Sequence, residues 1–272
     1  MPSSQNSGPR ARNFLPLIVI VGPTASGKTG LAIRLAREFG GEIVSGDSRA
    51  VFKGLDIGTA KPSLEERQGI PHWGFDLVEP DERFTAADFQ AYARQKIAEI
   101  RARGKVPFLV GGTGLYVDAV VYDFEFSATS NDAERRRKFE QMSLEELYRY
   151  CDDNNIRLPE NYKNKRYVIN AILRNGANHK RNKQPAANII IVGITTENEI
   201  LRARIDARAE QMFSSEMFRE ARQVAKRYGW KYESMTGNIY PLIQQYLTGE
   251  ITLDGAKERC KILDWRLAKR QL

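Results

Sequence analysis

The sequence has little cysteine or histidine, with two of each in 272 residues. Cys151 and Cys260 lie far apart and form no CxxC pair, which argues against a zinc site and against a disulfide framework. We expect both to be small apolar residues, buried or half-buried, in a reduced cytoplasmic setting. His72 stands beside Trp73, and we interpret it as a packed, hydrogen-bonded side chain rather than a catalyst.

The sequence also lacks an apolar run long enough to span a bilayer, so no membrane partner is expected. Residues 14–21 are apolar and follow Arg10 and Arg12, as in a signal peptide. They have no small-residue cleavage site and lead directly into a glycine-rich loop, so we interpret them as the first core strand. Residues 1–13 are polar and are predicted to be a disordered tail.

Charge is only moderately unbalanced: 42 Lys and Arg against 34 Asp and Glu give a net charge of +8. This balance favours an anionic partner, but a basic surface without a partner would look the same. The length fits one large domain, or one domain with an insertion, and the hydrophobic content of 42% is typical of globular proteins.

The glycine-rich loop reads GPTASGKT and stands between the apolar run and a helical pattern. Strand, G-x-x-x-x-G-K-T loop and helix together predict a phosphate-binding loop, in which backbone N–H groups and the helix N-terminus form an anion site. Lys28 adds a charge for the outer phosphate oxygens, and the Thr29 hydroxyl is placed to ligate Mg²⁺. The predicted contacts are Gly22, Thr24, Ala25, Ser26, Gly27, Lys28 and Thr29.

Further along the chain, apolar strands alternate with helices, which predicts an α/β fold with a parallel sheet flanked by helices. A short strand at 42–45 ends in Asp47, and a strand at 106–110 ends in Gly111-Gly112-Thr113. A capping box at Thr85 opens a helix to residue 103, and a run at 188–194 is predicted to be a buried parallel strand. Lys53 and Lys61 suit either anion contacts or an ordinary solvated loop. Leu253, Ala256, Cys260, Leu263 and Leu267 keep the 3-4 spacing of a buried helical stripe.

The alternation stops between residues 123 and 185, where three helical patterns and a basic loop at 178–183 follow one another. Ser143 and Glu146 form a capping box that opens the second of these patterns. We predict a small all-helical insertion at 123–185 within a catalytic domain of residues 14–122 and 186–272. Its basic side chains fit contacts with nucleic-acid phosphates. Judged by charge alone, however, the favoured interpretation is that these side chains form an ordinary solvated surface of the insertion.

Motor-type ATPases need an acidic residue at the end of a later apolar strand, but these strands end in Gly111-Gly112 and Thr195-Thr196. That leaves small-molecule kinases and transferases with a diphosphate leaving group. In either case Asp47 is the best candidate general base, since it ends the strand after the phosphate loop. The alternative interpretation is that Asp47 is not a base and contacts Mg²⁺ only indirectly, through another ligand of the ion.

The order of the motifs resembles the tRNA dimethylallyltransferase family over nearly the whole chain after Asn13. The motifs are GPTASGKT, DSRAVFKGLDIGTAKP, GGTGLY, NKRYVINAI, GITTENEILRARIDARAEQM and AKRQL. The resemblance implies a P-loop NTPase-like fold, Mg²⁺ as cofactor, and dimethylallyl diphosphate and the tRNA anticodon stem-loop as substrates. It also implies transfer of the prenyl chain to the exocyclic amine of the adenosine 3′ of the anticodon. We expect a cytoplasmic monomer.

The same resemblance assigns roles to residues. Asp47 would take the proton from the amine, Thr113 would lie beside the adenosine, and Lys28 and Arg208 would face the diphosphate. Contacts with tRNA are implied for Asp47, Ser48, Arg49, Ala50, Thr113, Arg136, Arg166, Tyr167 and Asn170. The chain departs from the family at Ala50, where glutamine is usual, and at Tyr167 and Asn170, where a pair of arginines is usual.

Three other functions stay open from the sequence. The acceptor could be a free adenine nucleotide instead of RNA, the chain could be a small-molecule kinase, or it could bind RNA without catalysis. The basic insertion argues against a free nucleotide, which needs no such surface. The retained Lys28, Asp47, Thr113 and Arg208 argue against a loss of catalysis.

Overall fold

The computed structural model describes residues 15–126, 133–176 and 181–272. They divide between one compact unit within Met1–Val121 and Pro185–Leu272 and a second within Tyr122–Gln184. The boundaries expected from the sequence differ from these by one residue. The predicted tail at 1–13 and part of the basic loop at 178–183 lie outside the described residues.

The first unit is built on a parallel five-stranded sheet with the order β3-β2-β4-β1-β5. The predicted α/β architecture is therefore confirmed. The strands are β1 (Leu17–Val21), β2 (Gly41–Ser45), β3 (His72–Trp73), β4 (Val106–Gly111) and β5 (Ile189–Gly193).

Helices connect these strands. In the described part of the second unit, the regular secondary structure is entirely helical. The predicted capping boxes at Thr85 and Ser143 are present at the starts of the second and fifth helices. The helices are α1 (Lys28–Glu38), α2 (Ala86–Ala102), α3 (Gly114–Val121), α4 (Ala133–Gln141), α5 (Leu144–Asp153), α6 (Lys165–Leu173), α7 (Asn198–Met212), α8 (Ser215–Tyr228), α9 (Ile239–Leu247) and α10 (Leu253–Gln271).

The core of the first unit lies where α1 packs on the sheet. Ala32, Ile33 and Ala36 of α1 are buried against Ile20 of β1 and Phe108 of β4. Alanines at two of the three helix positions let the backbone of α1 approach the strands closely. This packing fixes the start of α1, and therefore the loop before it, against the carboxyl end of β1.

The prediction that the run at 188–194 is a buried strand is wrong. β5 pairs with β1 in parallel but lies at the edge of the sheet, and Ile190 and Ile191 are 51% and 45% exposed. A continuous apolar run is typical of a strand covered on both faces, but it does not report whether a second neighbour exists.

The buried stripe of α10 also differs from the predicted one. Ala256, Cys260, Asp264 and Ala268 are buried, whereas Leu263 and Leu267 are only partly so. The Asp264 carboxylate is satisfied because Asn238 Nδ2 donates a 2.7 Å hydrogen bond to it. Both cysteines are free and buried, as predicted, and burial raises the pKa of Cys260 to about 12. Among the described helices, none has the length and apolar character needed to cross a bilayer.

Candidate functional site

The phosphate-binding loop begins at Gly22, where no side chain fits. A Cβ atom at Gly22 would lie 2.8 Å from the carbonyl oxygen of Ile194. Gly27 then caps α1 with a φ of 89°, in the left-handed region that glycine adopts without strain. The first turn of α1 leaves N–H groups without helical partners, so the loop and helix start together offer donors for an anion.

Lys28 and Ser26 place polar groups inside this loop, and only the Ser26 hydroxyl is without a partner in the described part of the chain. Lys28 Nζ donates a 2.6 Å hydrogen bond to the carbonyl oxygen of Pro23. Burial lowers the pKa of the Lys28 ammonium to about 8; the Asp47 carboxylate opposes this shift and the Arg208 guanidinium adds to it. Ser26 Oγ is buried and has no hydrogen-bond partner among the described residues. A bound anion would satisfy the ammonium and the hydroxyl together.

Two arginines of α7 reach the loop from one helix face. Arg208 donates a 2.9 Å hydrogen bond to the hydroxyl of Thr24, and its Nε is buried without a partner in the described part of the chain. Arg204, one turn earlier, donates to the carbonyl oxygen of Ser26 at 3.4 Å. The sequence analysis assigned Arg208 but not Arg204, although the four-residue spacing places both on one face.

Asp47 and Thr113 lie at the carboxyl ends of neighbouring strands, β2 and β4. The Ser48 N–H donates to Thr113 Oγ1 at 3.2 Å, and the Thr113 hydroxyl donates to Ser48 Oγ at 3.3 Å. Asp47 Oδ1 accepts a 2.8 Å hydrogen bond from the N–H of Arg49. The phosphate loop follows β1, and β1 is the neighbour of β4. All these groups therefore lie at the carboxyl ends of the strands, where open α/β sheets bind ligands.

The expected RNA contact at Ala50 is not supported, because Ala50 is 3% exposed and therefore a core residue. Arg49, its neighbour, donates a side-chain hydrogen bond to the carbonyl oxygen of Glu233. Asp47 and Ser48 therefore lie at the site, whereas Ala50 lies in the interior of the unit.

Glu220 anchors the loop that contains Asp56, Ile57 and Gly58. Sequence reasoning missed this role of Glu220. Its buried carboxylate accepts hydrogen bonds from the N–H groups of Asp56, Ile57 and Gly58, at 2.8, 2.7 and 3.0 Å. The hydroxyl of Tyr240 donates to it as well, at 2.7 Å. A glutamate on a basic helix, α8, gave no sequence signal for this contact.

Both lysines of this loop pair with carboxylates of the first unit, but only Lys61 is buried, whereas Lys53 is exposed. Lys61 is 3% exposed and donates to Asp56, to Asp76 and to the carbonyl oxygen of Phe52. Lys53 pairs with Glu79 at 2.9 Å. Their charges are thus used within the first unit.

In the second unit, α4 and α6 carry the predicted RNA contacts. Arg136 donates a 2.6 Å hydrogen bond to Asn170 Oδ1, and its side chain is 15% exposed. Arg166 and Tyr167 lie at the surface of α6, where Tyr167 is 46% exposed. The structure therefore joins two of the four residues and presents the other two to solvent.

Gln271, near the end of α10, is a further residue that sequence reasoning missed. Its Oε1 accepts a 2.7 Å hydrogen bond from the N–H of Thr24, and its Nε2 donates a 2.8 Å bond to the carbonyl oxygen of Gly112. The AKRQL motif that contains it was part of the resemblance, but no property of the motif itself indicated a partner.

The donors around Thr29 fit Mg²⁺ better than a softer metal. The described residues contain no group of three or more His, Cys, Asp or Glu side chains that could hold a metal ion. Thr29 lines a cavity of about 330 Å³ that also receives Glu66. Mg²⁺ is commonly held by one or two protein oxygens together with substrate phosphates and water, which is what this hydroxyl beside an anion site provides.

Comparisons with known proteins place the chain among its relatives. A family model described as IPP transferase matches residues 50–272, and one described as isopentenyl transferase matches residues 15–73. A protein of Anoxybacillus flavithermus named tRNA dimethylallyltransferase is 40% identical over 266 residues, covering 94% of this chain and 85% of that protein. A Roseiflexus protein of the same name is 41% identical over 273 residues, covering 95% and 89%.

One solved structure extends this likeness to the fold. The full-length tRNA isopentenylpyrophosphate transferase of Bacillus halodurans is 36% identical, with a TM-score of 0.72, over 95% of this chain and 86% of that one. The predicted P-loop NTPase-like class of α/β fold is therefore confirmed.

Proposed function

Because the chain belongs to the IPP transferase family of tRNA dimethylallyltransferases, we propose that its phosphate loop, Asp47 and Thr113 carry out prenyl transfer. The chain is a prenyltransferase that modifies tRNA. The dimethylallyl group passes from dimethylallyl diphosphate to the exocyclic amine of the adenosine 3′ of the anticodon, and diphosphate is released.

The donor diphosphate binds the loop at residues 22–29. Because the Thr24 N–H is already bonded to Gln271, the phosphate oxygens take N–H groups from later in the loop, near the start of α1. Lys28 and Arg208 complete the cradle, and Ser26 Oγ gains its missing partner. Mg²⁺, held by Thr29, would neutralise the charge of the diphosphate.

In the transfer step the amine nitrogen attacks the allylic carbon, and the bond from that carbon to the diphosphate oxygen breaks. The electron pair of that bond leaves with diphosphate, and the amine proton passes to the Asp47 carboxylate. Thr113 contacts the adenosine from the neighbouring strand end. The carbon becomes cationic as it departs, so the site must stabilise diphosphate and exclude water.

The observation that carries this proposal is that the diphosphate cradle and the candidate base lie together at the carboxyl ends of the strands. Lys28 and Arg208 lie with the phosphate loop, and Asp47 lies close enough to change the pKa of Lys28. A cationic diphosphate cradle beside a carboxylate is the arrangement that an allylic transfer to an amine requires.

The RNA is held in part by the second unit, through Arg166, Tyr167 and the bonded pair Arg136 and Asn170. The target base must leave its stack to reach Asp47, which costs a few kcal/mol, and basic side chains on α4 and α6 offset this cost by contacts with phosphates. Ser48 and Arg49 would contact the same loop of RNA. We further propose that the protein acts as a monomer in the cytoplasm, where its tRNA substrate is processed.

The test is incubation with Mg²⁺, labelled dimethylallyl diphosphate and unmodified tRNA. We expect label in the tRNA, at the adenosine 3′ of the anticodon. Absence of label, with the Anoxybacillus relative active in parallel, would disprove the proposal. Label in AMP instead would identify a free-nucleotide acceptor, and consumption of ATP with a small-molecule acceptor would identify a kinase.

A further inference from the structure

Gln271 joins the two halves of the site through one side-chain amide. Its Oε1 accepts from the N–H of Thr24 at 2.7 Å, and its Nε2 donates to the carbonyl oxygen of Gly112 at 2.8 Å. Thr24 belongs to the phosphate loop after β1, and Gly112 belongs to the turn after β4. The amide therefore spans two neighbouring strand ends and satisfies a backbone donor on one and a backbone acceptor on the other.

Both anchored residues adjoin groups assigned to the reaction. The hydroxyl of Thr24 is held by Arg208, and Gly112 immediately precedes Thr113, whose hydroxyl is bonded to Ser48. We propose that Gln271 is a positioning residue for prenyl transfer, which sets the separation between the donor diphosphate and the acceptor adenosine. This inference rests on the proposed function, because it requires a donor and an acceptor in the same site.

The local packing shows that the amide belongs in this place. A Cβ atom at Gly112 would lie 2.6 Å from Gln271 Nε2, so a glycine is needed to admit the amide. Gly112 does not have a positive φ. A glycine is therefore needed here for space and not for its backbone conformation. Few side chains present a donor and an acceptor on one planar group of this length, and the neutral glutamic acid is one of them.

A role in positioning predicts an effect on turnover rather than on binding. Gln271→Met keeps the length and removes both hydrogen bonds, so the two strand ends are free to shift relative to one another. Because small misplacements of reacting groups cost up to about a hundredfold in rate, we expect kcat to fall about 10- to 100-fold. The KM for dimethylallyl diphosphate should change by less than about threefold, since the cradle of loop amides, Lys28 and Arg208 remains.

The second variant, Gln271→Glu, separates positioning from packing. The ionised carboxylate loses the bond to Gly112 and is repelled by its carbonyl oxygen, whereas the protonated form restores one donor and one acceptor. We expect the ratio of variant to wild-type kcat to rise at least threefold between pH 8 and pH 5.5. Matched controls are Gln223→Met and Gln223→Glu on the exposed surface of α8, whose ratios should stay near one throughout.

The outcomes are separable. Wild-type protein that leaves tRNA unlabelled would overturn the proposed function and this inference with it. Active wild type together with a Gln271→Met kcat within threefold of it would overturn the inference alone. If Gln271→Met does not fold, Gln271→Glu decides: a kcat ratio that does not change with pH overturns positioning, and recovery at low pH supports it.

Discussion

Lys28 Nζ donates a 2.6 Å hydrogen bond to the carbonyl oxygen of Pro23, five residues earlier in the same loop. The cation that should meet the diphosphate is therefore folded back on its own backbone and partly withdrawn from water. Its charge is costly to keep there, and burial lowers its pKa to about 8. An arriving diphosphate exchanges this bond to a neutral carbonyl oxygen for a stronger one to an anionic phosphate oxygen.

The first prediction is that diphosphate binding weakens above pH 8. Lys28 is protonated at pH 7 and loses its proton as the pH rises through about 8, while diphosphate binds the charged form. With one proton linked to binding, the Kd for pyrophosphate with Mg²⁺ should rise by up to about tenfold per pH unit above that point. Calorimetric titrations from pH 6.5 to 9.5 measure this. Lys28→Arg stays charged and corrects for the titration of pyrophosphate itself, so equal slopes for both proteins would contradict the prediction.

The second prediction is that Lys28→Met stabilises the fold while it stops turnover. The folded state lowers the Lys28 pKa from 10.5 to about 8, so below pH 8 folding carries the full cost of burying the charge. That cost is at most about 3 kcal/mol, and losing the bond to Pro23 returns about 1 kcal/mol of it. We therefore expect a gain of about 1–2 kcal/mol in unfolding free energy at pH 7. Wild type loses the penalty as the pH rises from 8 towards 10.5, so urea unfolding at pH 9.5 should show a smaller gap between the two proteins. A gap that widens would refute the assignment.

The third prediction concerns Asp47 as base. Asp47→Ala should retain tRNA binding, since it removes one of several implied contacts, and lose about 10²- to 10⁴-fold in kcat, the usual contribution of a positioned base. Single-turnover transfer of labelled prenyl group, together with a filter-binding assay for tRNA, separates chemistry from binding. Asp81→Ala removes an exposed carboxylate of the same unit and serves as the control. Activity equal to wild type in Asp47→Ala would remove its role as base.

The fourth prediction concerns Glu220. Glu220→Gln turns an amide N–H₂ towards backbone donors and removes the charge that three N–H groups and Tyr240 bond to. We expect a loss of about 2–4 kcal/mol in unfolding free energy. Tyr240→Phe removes a single donor and should cost about 1–2 kcal/mol. Urea unfolding of both variants tests the order; a larger loss for Tyr240→Phe would mean that the bond from the Tyr240 hydroxyl, and not the bonds from the backbone N–H groups, provides most of the stabilisation.

Local features were predictable because their causes lie within a few residues. The phosphate loop is specified by glycines that admit its backbone turns, as the left-handed φ of 89° at Gly27 shows. The capping boxes at Thr85 and Ser143 are four-residue patterns, and both are present. The strand after residue 188 was predicted as a strand for the same reason.

Features set by the whole chain were not predictable. Gln271 reaches Gly112 across 159 positions, and Glu220 reaches Gly58 across 162. Neither glutamine nor glutamate on a helix carries a sign of such a partner. The exposure of Ile190 and the burial of Ala50 and Asp264 also depend on which elements become neighbours, and only the completed topology decides that.

The pairing of β1 with β5 and the bonds of Gln271 have a consequence for folding during synthesis on the ribosome. The ribosome releases the phosphate loop early, but the strand beside β1 and the amide that holds Thr24 belong to the last third of the chain. Until those segments emerge, β1 has β4 on one side only, and the loop after it lacks both β5 and the hydrogen bond to Thr24. Anion binding should therefore appear late during synthesis, once β5 and Arg208 have emerged, whereas full turnover should require Gln271 as well.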